Sequence, residues 1–162
     1  MQSTDPVVDL IERFLISQAG WLSCSLEKVA LVSSRRTTPY GFEWLIHTAL
    51  AYFLIKEEDR GYIRDVKIGE KNKYTGRKYD LFFKMGRDKI VIELKTTANL
   101  DLSFVKGDLK KALPSGAKLY LLVFSYLTNR ENRENLSLDG CCLMLDQLIC
   151  ENFRCLLFKK RR

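Results

Sequence analysis

The stretch that decides the fold is Lys78–Lys95, KYDLFFKMGRDKIVIELK. Two β-rich runs, YDLFFK and KIVIELK, flank Met85-Gly86-Arg87-Asp88. A glycine at the first central position of a two-residue turn suits the type II′ geometry of tight hairpins. With Gly86 and Arg87 as that turn, antiparallel pairing sets Asp80 opposite Glu93 and Lys78 opposite Lys95. Side chains alternate faces along a strand. One face therefore carries Lys78, Asp80, Phe82, Lys84, Lys89, Val91, Glu93 and Lys95. The other carries Leu81, Phe83, Ile90, Ile92 and Leu94, all apolar. The second face predicts a core, and the first gathers two carboxylates and a lysine.

Carboxylates opposed across two strands repel each other. A divalent cation between Asp80 and Glu93 would turn that repulsion into attraction, and hard oxygen ligands suit Mg²⁺. Lys95, on the same face as Glu93, is placed to orient or help deprotonate a water beside such a metal. The alternative is a solvated hairpin face with incidental charges. The apolar reverse face and the opposed carboxylates favour the metal site.

Upstream, Thr38-Pro39 predicts the N-cap and first residue of a helix that runs through FEWLIHTALAYFLIKEE and ends at Gly61. Its interior is almost continuously apolar, which predicts a helix largely buried against the sheet. Glu43 and His47 are four apart and share a face. Glu43 complements the helix dipole as a first-turn acid, a role compatible with an outer metal contact. His47 reads as a core histidine bonded to Glu43 or to backbone. Tyr62–Ile68 alternates as a strand, and Gly69–Gly76 is a lysine-rich turn.

Downstream, Thr96–Asp101 reads as a connection. Leu102–Leu113 reads as a helix capped by Asp101, with Lys106, Lys110 and Lys111 on its polar side and Pro114-Ser115-Gly116 as its stop. Lys118–Tyr126, KLYLLVFSY, has the continuous apolar character of a strand buried on both faces. Asn129–Asn135 is a solvated loop or a short charged helix. Cys141–Leu145 and Phe153–Phe158 are expected strands, Asp146–Asn152 an expected helix, and Lys159-Lys160-Arg161-Arg162 a frayed, solvated end. At the other end, Pro6–Ala19 is an amphipathic helix with Val7, Leu10, Ile11, Phe14 and Leu15 on one side and Gly20 as its C-cap. A short helix is expected over Leu26–Leu31.

A chain of 162 residues has the size of one domain with a real core, and residues 1–162 show neither an internal repeat nor a second domain. The longest apolar run, Leu119–Phe124, is too short to span a bilayer. An acidic N-terminal stretch without a cleavage site argues against a secretory signal. With 27 Lys and Arg against 20 Asp and Glu, the net charge of +7 supports nucleic-acid binding. Five cysteines without a C-x-x-C pair suggest neither a zinc site nor a disulfide framework. They are expected as small buried residues in a reducing compartment, with the cytoplasm as the default.

Helix, strand, strand, strand, helix, strand is the order expected from Thr38 to Tyr126, with Asp80 and, after twelve intervening residues, Glu93-Leu94-Lys95. This resembles the PD-(D/E)XK nuclease superfamily over a little over half of the chain. Tyr79 stands where the family name has proline. The resemblance implies an α/β fold with a restriction-endonuclease-like core at about residues 38–126. That core is a mixed central β-sheet in αβββαβ order flanked by helices, here with an N-terminal helical and a C-terminal strand and helix extension. It implies that Asp80 and Glu93 bind Mg²⁺, with Mn²⁺ able to substitute, and that Lys95 assists the attacking water. It also implies a further metal or water contact from Glu43. The backbone carbonyl of Leu94, on the same strand, is a natural additional ligand.

Arg77, Lys78, Lys106 and Lys110 surround the motif and are the candidates for phosphate contacts. The expected function is therefore a Mg²⁺-dependent endonuclease that hydrolyses DNA phosphodiesters. The alternatives are an RNA endonuclease of the same chemistry and a catalytically silent module that binds nucleic acid or protein. Cutting both strands with one site per chain points to a homodimer, formed through the N-terminal helix or the cysteine-rich C-terminal segment.

Overall fold

The computed structural model describes residues 5–33, 40–69, 78–97, 106–110, 113–126, 137–150 and 153–162. Strands β2 (Leu81–Met85) and β3 (Asp88–Thr97) form the expected antiparallel hairpin, with Leu81 opposite Ile92 and Phe83 opposite Ile90. Gly86 takes a φ of 58° and Arg87 does not take a positive one, as a type II′ turn requires. Continued by one more pair, this register would set Asp80 opposite Glu93. The ladder itself stops one pair short, at Leu81 and Ile92.

Around this hairpin the described strands make a mixed six-stranded sheet in the order β1-β2-β3-β4-β6-β5, with helices against it. Strand β1 (Arg64–Ile68) pairs antiparallel with β2, and β4 (Ala117–Tyr126) runs parallel to β3. Strand β6 (Phe153–Lys160) pairs antiparallel with both β4 and β5 (Cys141–Cys150). A parallel β3–β4 pair needs a crossover between them, and helix α3 (Lys106–Leu109) lies on it.

From Leu81 onward the two faces separate as the alternation predicts, whereas Tyr79, of the same parity as Leu81, packs with Phe82 instead. Leu81, Phe83, Ile90, Ile92 and Leu94 join Tyr120, Leu122 and Phe124 of β4 in the main core under the long helices. Phe82, Val91, Tyr79 and Leu119 pack on the opposite face, against Leu109 and Leu113. Strand β4 is buried from Leu119 to Ser125 and feeds both sides, as its unbroken apolar run foretold.

Helix α1 (Pro6–Ser33) is one helix of 28 residues, so Gly20 does not cap it. A glycine inside a helix costs about 1 kcal/mol. Burying Leu22, which is fully covered two residues later, contributes about 1.5–3 kcal/mol, so continuation wins. Val7, Leu10, Ile11 and Phe14 form its buried stripe, with Phe14 edge-on to Phe53 at 5.5 Å. This stripe is covered within the chain, while Ile16 on another side of the same helix is exposed.

Helix α2 (Tyr40–Asp59) begins within the expected span, whose opening Thr38-Pro39 lies outside the described residues. It ends as expected: Gly61, at φ 79°, donates to the Glu58 carbonyl at 2.9 Å and Tyr62 donates to the Glu57 carbonyl at 3.1 Å, a Schellman closure. Burial is one-sided rather than general. Ile46, Leu50, Phe53 and Leu54 are covered, while Trp44 and Tyr52 are 70% and 60% exposed. A helix laid on one sheet face covers only the side that meets it. The buried Glu57 accepts from Arg13 at 2.6 Å and Arg60 at 2.9 Å, which ties α2 to α1.

Four other expectations are corrected. Thr96 and Thr97 extend β3 rather than opening a connection, and Asp146–Cys150 continue β5 rather than forming a helix. Bulges between Leu143 and Leu145 and between Leu148 and Cys150 break the two-residue period of β5. Met144, Leu145 and Ile149 then reach the core at a spacing that imitates a helix. Lys159 and Lys160 belong to β6, and Lys159 pairs with Asp5 at 2.6 Å instead of fraying. Cys141 and Cys155 are buried as expected, but Cys142 is exposed. Within the expected 102–113 helix the described helical residues are Lys106–Leu109, and residues 70–77, 98–105, 111–112 and 127–136 lie outside the described residues. No described helix is long and apolar enough to cross a membrane.

Candidate active site

The second half of β3 passes between the first turn of α2 and the short α3, and the chemistry-bearing residues meet there. Asp80 sits in the bend just before β2, where the hairpin ladder has stopped. Its Oδ2 accepts the amide N–H of Leu94 at 2.8 Å, so the carboxylate takes a backbone donor that a longer β2 would have taken. Its carbonyl accepts from Gly69 N–H at 2.9 Å and lies 3.2 Å from Nε2 of His47. Asp80 is therefore fixed at both ends. His47 bonds to backbone, one of the two partners expected of it.

Glu43, in the first turn of α2, reaches the other end of the motif. Its Oε2 accepts from the Thr96 amide at 3.1 Å and from the Thr96 hydroxyl at 3.5 Å. Asp80 and Glu43 thus hold the amides of Leu94 and Thr96, which flank Lys95. Glu93 is 1% exposed, level with Leu121 of the parallel strand β4. Burial of a charge is costly without compensation.

The Lys95 ammonium lies 3.3 Å from the Asp108 carboxylate, with side chains 24% and 13% exposed. Burial alone would depress the lysine pKa. Attraction to Asp108, then to Glu43, the hydrogen bond to Asp108 and attraction to Asp80 together outweigh it, and the pKa stands above the ordinary lysine value. Lys95 is accordingly a firm cation, suited to orienting a water or steadying negative charge.

No protein-family model, curated protein or solved structure matches the chain. What the site can do is read from its own donors. Among the described residues, no three His, Cys, Asp or Glu side chains gather closely enough to hold a metal by themselves. Mg²⁺ asks for less, since it keeps several waters and is commonly held through one or two carboxylates. Asp80, Glu93 and the Leu94 carbonyl are all oxygen donors, the ligand type that Mg²⁺ takes.

Of the predicted phosphate contacts, Lys78, Lys106 and Lys110 are exposed, and Arg77 lies outside the described residues. Lys106 and Lys110 flank Asp108, which brings them to the Lys95 side of the sheet. Asp108 itself was missed. Its only signal in the sequence is that it is the lone acid in the lysine-rich run KGDLKK.

Proposed function

We propose that this chain is a Mg²⁺-dependent endonuclease of the PD-(D/E)XK kind, with a restriction-endonuclease-like core, acting on DNA. The observation that carries the reading is the bond from the Leu94 amide to Asp80, which ties the first acid of the motif to the strand that bears Glu93 and Lys95. Asp80, Glu93 and the Leu94 carbonyl would hold the metal. When bound, Mg²⁺ supplies charge neutralisation at the phosphoryl oxygens and lowers the pKa of a water from about 15.7 towards neutrality. Lys95 contributes a fixed positive charge where the nucleophile approaches, and Glu43 fixes the lysine's position through Thr96. The exposed Lys78, Lys106 and Lys110 would contact phosphate oxygens on either side. A homodimer would allow both strands of a duplex to be cut.

The test is incubation of purified protein with supercoiled plasmid and with single-stranded circles, in Mg²⁺ and in EDTA. Cutting only with the metal, lost in Glu93→Gln and Lys95→Ala, is the expected result. Intact substrate under both conditions, at protein in excess over DNA, rejects it, and competition with RNA decides between the two polynucleotides. The Lys95–Asp108 pair favours a second reading, a catalytically silent binding module, because it engages the lysine that chemistry would need. Nucleic-acid binding without hydrolysis and without Mn²⁺ uptake in calorimetry would favour that module.

A further inference from the structure

A cleft of about 670 Å³ opens at the other end of the central strands, where β4 begins and β6 ends. Five cations line it, Lys118, Lys159, Lys160, Arg161 and Arg162, over apolar side chains that include Leu119. Two of the five are answered by carboxylates: Lys118 by Asp88 at 2.5 Å and Lys159 by Asp5 at 2.6 Å. Lys160 donates to the Leu109 carbonyl at 2.6 Å and Arg161 to the Cys142 sulfur at 3.2 Å, both neutral acceptors. No described carboxylate pairs with Lys160, Arg161 or Arg162. The cleft therefore carries an excess of positive charge above an apolar floor, which suits a ligand that alternates phosphates with flat rings.

Helix α3 joins this cleft to the candidate active site. Asp108 on α3 holds Lys95, and the carbonyl of the next residue, Leu109, holds Lys160 of the cleft. Along β4, Ala117 at the cleft is six residues before Val123, the neighbour of Lys95, a run of roughly 20 Å at ~3.3 Å per residue. That span corresponds to about six base pairs of duplex at ~3.4 Å each. A concave basic site fits a strand better than a membrane surface, which would need a flat or protruding face.

The geometry points to a nucleic-acid backbone site in this cleft, which anchors the polynucleotide on the far side of α3 from the reactive residues. It rests on the nucleic-acid reading above, and it needs neither metal nor turnover. The test is fluorescence anisotropy of labelled duplex and single-stranded DNA in EDTA, across a salt series. Arg161→Glu/Arg162→Glu should weaken binding about tenfold or more and flatten the log–log salt slope by roughly 0.9 for each phosphate no longer neutralised. Arg161→Gln/Arg162→Gln should lie between that and the wild type. A charge-matched control away from the cleft, Lys56→Glu/Arg64→Glu, should change affinity much less. Bound DNA should also slow iodoacetamide alkylation of Cys142, which lines the cleft.

Equal loss in cleft and control variants, no loss in either, or undiminished alkylation of Cys142 in the complex would overturn the site. So would tighter binding of phosphatidylserine vesicles through the same two arginines. Binding that behaves as expected in protein unable to cut any substrate would leave the cleft standing and reject the nuclease reading alone.

Discussion

Nζ of Lys95 lies 3.3 Å from Oδ2 of Asp108, so a residue of the short α3 holds the lysine that the central hairpin presents. The pair is mostly covered but not sealed, and Glu43 and Asp80 also attract the same ammonium. Removing Asp108 alone should therefore leave Lys95 partly compensated. A double-mutant cycle of Lys95→Met and Asp108→Asn, read by urea unfolding, should give a coupling of about 1–2 kcal/mol. Strict additivity of the two changes would mean that the contact contributes nothing in solution.

Asp80 has two separable duties, one as an acceptor and one as a charge. Asp80→Asn keeps an oxygen for the Leu94 amide and should fold with a nearly unchanged unfolding midpoint while it loses metal-dependent cutting. Asp80→Ala leaves that N–H without its acceptor and should cost about 1–3 kcal/mol as well. Calorimetric Mn²⁺ titration alongside the denaturation curves separates the two effects.

What the sequence disclosed was local. The hairpin could be read because Gly86 and strict alternation specify turn, register and faces together. The end of α2 could be read because Gly61 does what a C-cap glycine does, and β4 because its apolar run has to be covered on both sides. What stayed hidden depends on partners distant in sequence. Gly20 looks like a stop until Leu22 is seen to be buried by the sheet. The bulges of β5 are set by pairing with β6, and they make a strand look helical. Lys159 looked like a loose tail residue because its partner, Asp5, lies at the opposite end of the chain. Glu43 and Lys95 were legible as types, whereas Asp108 becomes informative only when α3 folds back over β3. Asp5-Pro6 ahead of an apolar periodic run is a local helix-start signal, and α1 begins there.

Gly86 offers a test of the register that is independent of function. An added Cβ there would meet no atom within 4 Å, so any cost of substitution comes from the backbone and not from crowding. At φ 58°, Gly86→Val should destabilise by about 1–2 kcal/mol. Gly86→Asn, whose side chain tolerates this region, should cost clearly less. Equal midpoints for all three proteins in chemical denaturation would contradict the turn.

Asp5 gives the pH prediction, because it joins the start of α1 to two strands. Its Oδ1 accepts from the Val7 amide at 3.0 Å as an N-cap with Pro6 at the first helical position. The Tyr120 hydroxyl donates to the same carboxylate at 3.0–3.1 Å and Lys159 at 2.6 Å. Burial works to raise the pKa, but the hydrogen bonds from Lys159, Val7 and Tyr120, with the lysine's charge, bring it below the ordinary 3.8. A depressed folded-state value means that the stabilisation is complete above 3.8, the ordinary carboxyl value. Below that the unfolded chain binds the proton first, and the contribution is gone once the pH has passed below the folded-state value. Asp5→Ala should therefore cost about 2–4 kcal/mol at neutral pH, for a lost cap and charged hydrogen bonds. The gap between mutant and wild-type midpoints should narrow as the medium is acidified below 3.8. A gap that stays constant from neutrality to strong acid would show that Asp5 acts through packing and not through its charge.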